Sequence, residues 1–301
     1  MKRRYTINIK IPSLLFLAVV TTSFAAIFVK MSESPSSILS MYRMFLACLL
    51  ILPCTIKFLP ELKTISSKVW ISIVGAGACL SLHLGLWFKS LKMTTVASST
   101  VILSLQPIIA LVASYIIYKN IVDTRIIFSI LVSFGGIVII NISDFSMSNL
   151  TILIGNALSF LSAIAMVAYL ILGQKGAKSL THWLYSFLVF FFAGIFLLIY
   201  NIFINVEFFD YSTKEWGFFV LLAIFPTVTH VIFNYLLSFV EPTSISMSII
   251  LEPIITSILA LIILNEKLSW VQILGSCISL FGIYMFLAIK RKQRSIMIEK
   301  H

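Results

Sequence analysis

The sequence predicts an all-α polytopic membrane protein with ten transmembrane helices arranged as two inverted five-helix repeats. Three observations predict this fold: an apolar composition, a series of ten long apolar segments and a match between the two halves of the sequence. Hydrophobic residues make up 60% of the 301 residues and charged residues only 11%, whereas an average soluble domain is about 45–50% apolar and about 25% charged. The composition therefore excludes a water-soluble globule.

The ten apolar segments have the length that a helix needs to cross a bilayer. A spanning helix requires about 20 mostly apolar residues, and each segment ends at charges, prolines or clusters of Asn and Ser. The gaps are too short for a separate soluble domain. The predicted spans run from Ile11 to Val29, Ile38 to Phe58, Val69 to Phe88, Val96 to Tyr118, Ile126 to Ile142, Leu150 to Gly173, Trp183 to Ile204, Trp216 to Phe239, Thr243 to Leu264 and Trp270 to Ile289.

The basic residues predict the orientation of the chain. There are 22 Lys and Arg residues against 11 Asp and Glu, a net charge of +11, but no basic-aromatic patch of the kind that stacks on bases. We therefore expect these cations to meet lipid headgroups and not nucleic acid. If the N-terminus is cytoplasmic, 16 of them lie in cytoplasmic segments and 5 in external ones. The positive-inside rule then predicts that both termini are cytoplasmic.

The two halves of the sequence repeat one another. Leu105–Ile109 matches Leu251–Ile255 at an offset of 146 residues, and Gly136 matches Gly282 at the same offset. A shorter match upstream has an offset of 148. Each half holds five spans, an odd number, so the second half enters the membrane from the opposite side. Such inverted repeats form a substrate site between them, near the bilayer midplane, and exchange roles in alternating access.

Five motifs identify a related family. They are the opening LAVVTTSFAAIFVKM, the Arg in SMYRMFLACLLILP, the sixth span GNALSFLSAIAMVAYLIL, the ending EPIITSILALIILNEKLSWVQILGSCISLFGIYMF, and a weaker copy of that ending in the first half. Over essentially the whole chain this pattern resembles the EamA-type permeases of the drug/metabolite transporter (DMT) superfamily. The resemblance implies a ten-helix, two-bundle fold that exports or exchanges small organic solutes, such as amino acids, related metabolites or toxic amphiphiles.

Two departures limit what the resemblance implies. The family usually has a Glu after the fourth span, as Glu266 stands after the ninth, but this chain has Lys119-Asn120 there. We therefore do not expect an end-capping carboxylate in the first half. Small multidrug exporters of the superfamily place a carboxylate in the first helix, and the segment from Ile11 to Val29 has none. Their cation-binding mechanism is therefore not carried over.

Glu252 is the carboxylate that lies well inside a predicted span, directly before Pro253. A charge at that depth costs about 3 kcal/mol on insertion scales, and the proline removes a backbone hydrogen bond. Together they predict a local break at which substrate or a proton binds; the alternative is a protonated Glu252 that hydrogen-bonds a neighbouring helix. Gln106-Pro107 keeps the kink but cannot titrate, so any proton coupling is expected in the second half.

Further polar residues are candidates for the substrate or proton pathway. Arg43, near the start of the second span, is either a snorkelling anchor or a partner of the outer end of another helix, or it contacts an anion or carboxylate in the pathway. His83 and His230 are either hydrogen-bonded packing residues or proton-transfer groups. Polar or aromatic groups suited to an amphipathic solute complete the set: Trp87, Asn234, Tyr235, Asn156 and Tyr169.

The sequence favours a secondary active exporter or exchanger in the cell membrane, built from residues 1–146 and 147–301. Multidrug efflux is the alternative. No Walker loop GxxxxGK[ST] occurs, so ATP is not the direct energy source. HExxH and an intramembrane Asp pair are absent, which argues against an enzyme, and the last span has no Lys for a retinal sensor. We expect no cofactor and no metal. The expected partners are a small-molecule substrate, the lipid bilayer and, if transport is coupled, a proton, in a monomer or dimer.

Overall fold

The computed structural model describes residues 11–94, 96–119, 123–140, 150–264 and 270–299, and all regular secondary structure in these residues is helical. Two 3-10 helices, Ile56–Thr64 and Ile249–Leu251, follow α2 and α10. The α-helices are α1 (Ile11–Met31), α2 (Ser36–Thr55), α3 (Ser67–Met93), α4 (Val96–Leu103), α5 (Gln106–Tyr118), α6 (Thr124–Ile140), α7 (Leu150–Ser179), α8 (His182–Phe203), α9 (Thr213–Leu236), α10 (Pro242–Ser248), α11 (Glu252–Leu264) and α12 (Trp270–Glu299).

Six of the described helices are long and apolar enough to cross a membrane: α1, α2 with its 3-10 extension, α3, α7, α8 and α9. Large apolar side chains cover the outward faces, as at Ile71 and Leu150, which are each 72% exposed. Such faces require lipid contact, so the helices form a multi-pass membrane protein. The other predicted spans are shorter or interrupted. α6 has 17 residues, which is about 26 Å of helix, and the apolar part of α12 is Ile273–Ile289.

The predicted fourth and ninth spans are each divided into two helices beside a proline. α4 ends at Leu103 and α5 begins at Gln106, one residue before Pro107. A 3-10 turn separates α10 from α11, which begins at Glu252, one residue before Pro253. Proline lacks the N–H that would continue a helix, but it fits the first turn of a new one, where that N–H has no intrahelical partner. Gln106 and Glu252 therefore stand at buried helix starts.

The N-terminal helices α1–α6 pack mainly against the C-terminal helices α7–α12. The most extensive contacts join α3 with α7, α6 with α12, α2 with α8 and α1 with α9; α3 also packs on α8, and α2 on α9. The larger apolar core lies among α1, α2, α3, α7, α8 and α9. A second core joins α6 and α12 to the segment Met247–Ile254. The two halves of the chain are therefore interleaved in one bundle.

α6 and α12 cross at two glycines. A Cβ atom at Gly136 would lie 2.5 Å from the carbonyl oxygen of Gly275 and 2.5 Å from the backbone nitrogen of Ser279. A Cβ atom at Gly282 would lie 2.5 Å from the backbone nitrogen of Ser133. Glycine is required here because any side chain would keep the two backbones apart. From Ser133 to Gly136 the chain advances along α6, while the contacting residue on α12 goes back from Gly282 to Ser279. The two helices are therefore antiparallel.

One end of the bundle is closed by a carboxylate at the start of α9. Glu215 accepts hydrogen bonds from the backbone N–H of Glu33 at 3.1 Å and of Ser34 at 3.2 Å. It also accepts from the hydroxyl of Ser34 at 2.5 Å and from that of Ser32. Lys92, near the end of α3, donates to the carbonyl oxygens of Ser32 and Ser34. This Glu215 clamp therefore ties the α1–α2 loop to both α9 and α3.

A second carboxylate closes the opposite end. Glu61, in the 3-10 helix before α3, accepts hydrogen bonds from the backbone N–H of Thr181 at 2.9 Å and from its hydroxyl at 2.5 Å. Thr181 lies in the short loop between α7 and α8. This Glu61 clamp precedes α3, whereas the Glu215 clamp meets the end of α3. α3 has 27 residues, so the two clamps are about 40 Å apart along the bundle.

We expect Gly136→Ala to lower the thermal stability of the purified protein. Overpacking a closed helix crossing costs about 1–3 kcal/mol. Gly135→Ala is the matched control, because a Cβ atom at Gly135 meets nothing within 4 Å. The measurement is the midpoint of thermal unfolding in detergent, followed by tryptophan fluorescence. Equal midpoints for the two variants would contradict the close crossing of α6 and α12.

Candidate functional site

Arg43 is an enclosed cation on α2. It is 1% exposed, and Nε, Nη1 and Nη2 all lack a hydrogen-bond partner. Its guanidinium carbon lies over the ring of Phe88 on α3, 5.7 Å from the ring centre, which is a cation–π contact. The guanidinium also interacts electrostatically with Tyr169 and Glu252. Arg43 is therefore surrounded by aromatic and acidic groups but is hydrogen-bonded to none of them.

Glu252 is the acidic partner of Arg43 in this electrostatic interaction. It is 3% exposed, and its Oε1 has no hydrogen-bond partner. Pro253 fixes the start of α11 at this residue, and a helix N-terminus favours a carboxylate because the backbone N–H groups there are unpaired. No nitrogen of Arg43 is hydrogen-bonded, so the two side chains interact without a hydrogen bond between them.

His83 of α3 is held by Ser162 of α7. Its Nδ1 lies 2.8 Å from Ser162 Oγ and 3.1 Å from the Ser162 carbonyl oxygen, and Ser162 Oγ donates to the His83 carbonyl oxygen at 2.9 Å. A carbonyl oxygen can only accept, so we assign the hydrogen of the neutral ring to Nδ1. The ring stacks on Trp87 with centroids 5.8 Å apart. The Nε1 of Trp87 has no partner.

A chain of hydrogen bonds links α7, α9 and α8. The Tyr169 hydroxyl donates to Asn234 Oδ1, and Asn234 Nδ2 donates to Ser186 Oγ at 3.0 Å. His230, one helical turn before Asn234, places its ring 5.9 Å from that of Tyr169. Its Nδ1 has no partner, and it interacts electrostatically with Arg43. These contacts hold Tyr169 and His230 beside one another, both within electrostatic range of Arg43.

Seven of these side chains form one buried group. Buried polar atoms almost always have hydrogen-bond partners, yet four members keep unpaired nitrogen or oxygen atoms: Arg43, Trp87, His230 and Glu252. Unpaired polar atoms on neighbouring buried side chains favour water or a polar ligand beside them. We name this group the Arg43 cluster; its members are Arg43, His83, Trp87, Tyr169, His230, Asn234 and Glu252.

Gln106 and the two prolines have separate places in the structure. Gln106 is 2% exposed and its Oε1 is unpaired, but among the described contacts none joins it to Arg43. Pro107 and Pro253 lie in the first turns of α5 and α11. They therefore shape the helix breaks and do not themselves offer a hydrogen bond to a solute.

Tyr235 lies outside the Arg43 cluster. It is half-buried, and its ring packs against His182 at 5.0 Å and Phe239 at 5.1 Å between centroids. It follows Asn234 directly, and consecutive residues of a helix point about 100° apart, so both cannot face the guanidinium. Asn156 is also elsewhere, where its Oδ1 accepts a hydrogen bond from Thr94 at 2.9 Å.

Sequence reasoning missed the residues that hold the site in place. Ser162 and Ser186 position the cluster through the hydrogen bonds described above, and Tyr185 is fully buried with an unpaired hydroxyl. One signal for Ser162 existed, because it lies seven residues before Tyr169. That spacing is two helical turns, so both side chains share one face of α7.

A separate groove lies between α6 and α12. It has a volume of about 700 Å³ and mainly apolar walls, formed by residues that include Phe128, Phe281 and Tyr284. No member of the Arg43 cluster lines it, and in a bilayer such walls suit acyl chains. Within the described ranges no three His, Cys, Asp or Glu side chains are arranged to hold a metal ion. The Arg43 cluster is therefore the candidate site.

Comparisons with known proteins point to a transport role. Residues 10–142 and 153–288 match the EamA-like transporter family. An uncharacterised transporter of Archaeoglobus fulgidus is 25% identical over 288 residues, which cover 92% of this chain and 97% of the relative. A solved structure titled only as the crystal structure of a protein superimposes with a TM-score of 0.74 at 13% identity, covering 94% of this chain and 98% of the other. At that identity the likeness concerns the fold alone.

We expect Tyr169→Phe to destabilise the protein by about 1–3 kcal/mol, because it leaves the buried Asn234 Oδ1 without its donor. The midpoint of thermal unfolding in detergent measures this loss. Tyr284→Phe is the matched control, since Tyr284 is 69% exposed, and it should leave the midpoint unchanged. If Tyr169→Phe also leaves it unchanged, the bond to Asn234 does not hold the site together.

Proposed function

The chain belongs to the EamA-like transporter family, and from this we propose that it is a secondary active transporter that exports or exchanges small organic solutes, such as amino acids or related metabolites, across the cell membrane. The observation that carries the proposal is the Arg43 cluster, in which unpaired polar atoms are enclosed by helices with apolar outer faces. A transporter needs such a polar site inside the bundle, reached from each side of the membrane in turn.

We further propose ten spans in two five-helix repeats, residues 1–146 and 147–301. The fourth span consists of α4 and α5, and the ninth of α10 and α11. Helix packing supports a two-fold relation between the repeats. The counterparts five spans apart are α1 and α7, α2 and α8, α3 and α9, and α6 and α12. Exchanging counterparts converts the α3–α7 pair into α9–α1 and the α3–α8 pair into α9–α2. The same exchange leaves the pairs α2–α8 and α6–α12 unchanged. Every pair in this exchange is in contact.

The crossing of α6 and α12 supports an inverted relation. Gly136 faces Ser279, and Gly282 faces Ser133; the offset of 146 converts one pair into the other. Helices related by an axis along their length would run parallel, but α6 and α12 are antiparallel. This contact therefore favours an axis perpendicular to the helices, in the membrane plane.

The two clamps suit alternating access. The Glu215 clamp ties the α1–α2 loop at one end, the Glu61 clamp ties the α7–α8 loop at the other, and these loops are counterparts in the two proposed repeats. In the proposed cycle one clamp opens while the other holds, so that the Arg43 cluster meets one side of the membrane at a time. The distribution of Lys and Arg supports a cytoplasmic location for the Glu61 end and for both termini.

Glu252 is the proposed carrier of a coupling proton. It is the acidic member of the Arg43 cluster, and its Oε1 has no hydrogen-bond partner. A carboxyl group that faces each side in turn can take up a proton on one side and release it on the other. The counterpart Gln106 cannot do so, which leaves one titratable carboxyl at the two helix breaks.

We expect Glu252→Gln to abolish solute accumulation driven by an imposed pH gradient, because an amide cannot exchange a proton, while solute-for-solute exchange persists. The measurement is uptake of a mixed pool of amino acids and metabolites into proteoliposomes, read by mass spectrometry with and without the gradient. Glu207→Gln removes the same charge from an exposed loop residue and is the matched control.

The wild-type protein in this assay tests the function itself. Accumulation of metabolites above the level in empty liposomes supports the proposal, whereas accumulation of lipophilic cations alone favours multidrug efflux. Absence of flux for every solute and drug would contradict a transport function. Normal gradient-driven uptake by Glu252→Gln would reduce Glu252 to a packing role.

Loosening one clamp should tighten the other if the two ends alternate. Glu215→Gln weakens the acceptor for the amides of Glu33 and Ser34, so we expect their hydrogen exchange to accelerate about tenfold or more. The amide of Thr181 should exchange more slowly in the same variant. Hydrogen–deuterium exchange with mass spectrometry measures both regions, and Glu61→Gln should give the opposite pattern. A change confined to the mutated end would contradict alternation.

A further inference from the structure

Arg43 differs from the part-buried lysines Lys30 and Lys92. Lys30 Nζ donates to the carbonyl oxygens of Leu91 and Thr94 at 3.0 and 3.1 Å, and Lys92 Nζ donates to two carbonyl oxygens of the α1–α2 loop. Arg43 is 1% exposed, yet all three of its side-chain nitrogens are without a partner. An unpaired buried charge is among the most destabilising groups in a folded protein. Its donors therefore suit a ligand that is not part of the chain.

The guanidinium has an aromatic contact, but none of its side-chain nitrogens has a hydrogen-bond partner. Its carbon lies over the ring of Phe88, 5.7 Å from the ring centre. Its N–H donors lie in the guanidinium plane and form a rigid fork that fits the two oxygens of a carboxylate. A planar anion can therefore pair with these N–H donors while Phe88 keeps its cation–π contact.

The charges around Arg43 limit what can bind. Glu252 is within electrostatic range but does not hydrogen-bond the guanidinium. Tyr169 is also in range, and His83 and His230 add no negative charge. An ionised Glu252 already balances Arg43, so an incoming carboxylate leaves one negative charge to offset. An ammonium group on the same solute offsets it, and so does a proton taken up by Glu252.

We infer that Arg43 is an anion subsite that holds a carboxylate group of the transported solute, with the guanidinium edge as donor and Phe88 as its platform. The inference rests on the proposed function, because it takes the Arg43 cluster as the solute site. Phosphate is a poorer match, since a dianion beside Glu252 would leave two negative charges uncompensated. The solutes selected are monocarboxylates, including amino acids.

The test compares each acid with its own amide, which keeps the shape and removes the negative charge. Uptake is measured in proteoliposomes that contain the full chain, and each amino acid or simple monocarboxylate competes with its own amide. For the wild type we expect half-saturating concentrations about tenfold or more lower for the acids. Arg43→Gln should abolish this preference. Arg43→Lys should keep part of it, because lysine retains the charge but not the fork.

Arg125→Gln is the matched control. Arg125 is an exposed arginine on α6, so its loss should leave the acid preference at the wild-type level. Melting and monodispersity in detergent show whether each variant is folded. If Arg43→Gln does not fold, the acid-to-amide ratio of Arg43→Lys decides, and an unchanged ratio overturns the inference.

Failure of the inference differs from failure of the proposed function. If the wild type transports solutes without preferring acids, or if Arg43→Gln keeps the preference, the anion subsite is overturned and transport stands. If the wild type transports none of the pairs, the deciding measurement is whether the same acids and amides raise the melting temperature of the solubilised protein. The anion subsite is supported if only the acids stabilise the wild type and Arg43→Gln abolishes that stabilisation. If the acids do not stabilise the wild type in this way, the anion subsite is overturned.

Discussion

The structure depends on enclosing one guanidinium charge within an apolar helix bundle. Burying such a charge without hydrogen bonds costs several kcal/mol, so the helix that carries Arg43 has to be held firmly. Asn201 of α8 donates to the carbonyl oxygen of Ser37 at 3.3 Å, and the hydroxyl of Tyr42 donates to the carbonyl oxygen of Phe208 at 2.6 Å. These bonds fix the first turns of α2, and packing against α8 and α9 fixes the rest. The charge therefore stays where its donors face the cluster.

In the proposed arrangement the same helix pairs pack in both repeats, but the chemistry of the two repeats differs. The offset of 146 relates Glu252 to Gln106, and the upstream offset of 148 relates Arg43 to Phe191, so neither ionisable residue has an ionisable counterpart. Such a division of roles suits a transporter. A symmetric scaffold offers two conformations of similar energy, and a single unsymmetric charge pair gives one site that serves both. Duplicating these residues would place four ionisable side chains in the apolar interior instead of two and double the desolvation cost.

Hydropathy predicted the helical segments, and the two intramembrane charges could be found because charges in apolar runs are costly and therefore rare. The helix breaks were predictable from proline, but their extent was not, since it depends on the packing of α5, α10 and α11. Hydropathy does not single out hydroxyl groups in this way. A serine in an apolar helix usually bonds its own backbone, as Ser23 does to the Val19 carbonyl oxygen at 2.8 Å. Ser162 has the same appearance in sequence but bonds His83 across the bundle.

The two clamps have different numbers of hydrogen bonds. In the proposed mechanism this difference makes one conformation of the transport cycle more stable than the other. Glu215 accepts four hydrogen bonds from the α1–α2 loop, whereas Glu61 accepts two from Thr181. Each charge-assisted bond contributes about 1.5–3 kcal/mol, so the Glu215 end is harder to open. The favoured conformation is then closed at that end and able to open at the Glu61 end. In an exporter with the Glu61 end in the cytoplasm, the binding of solute to the Arg43 cluster has to supply the free energy that opens the stronger clamp.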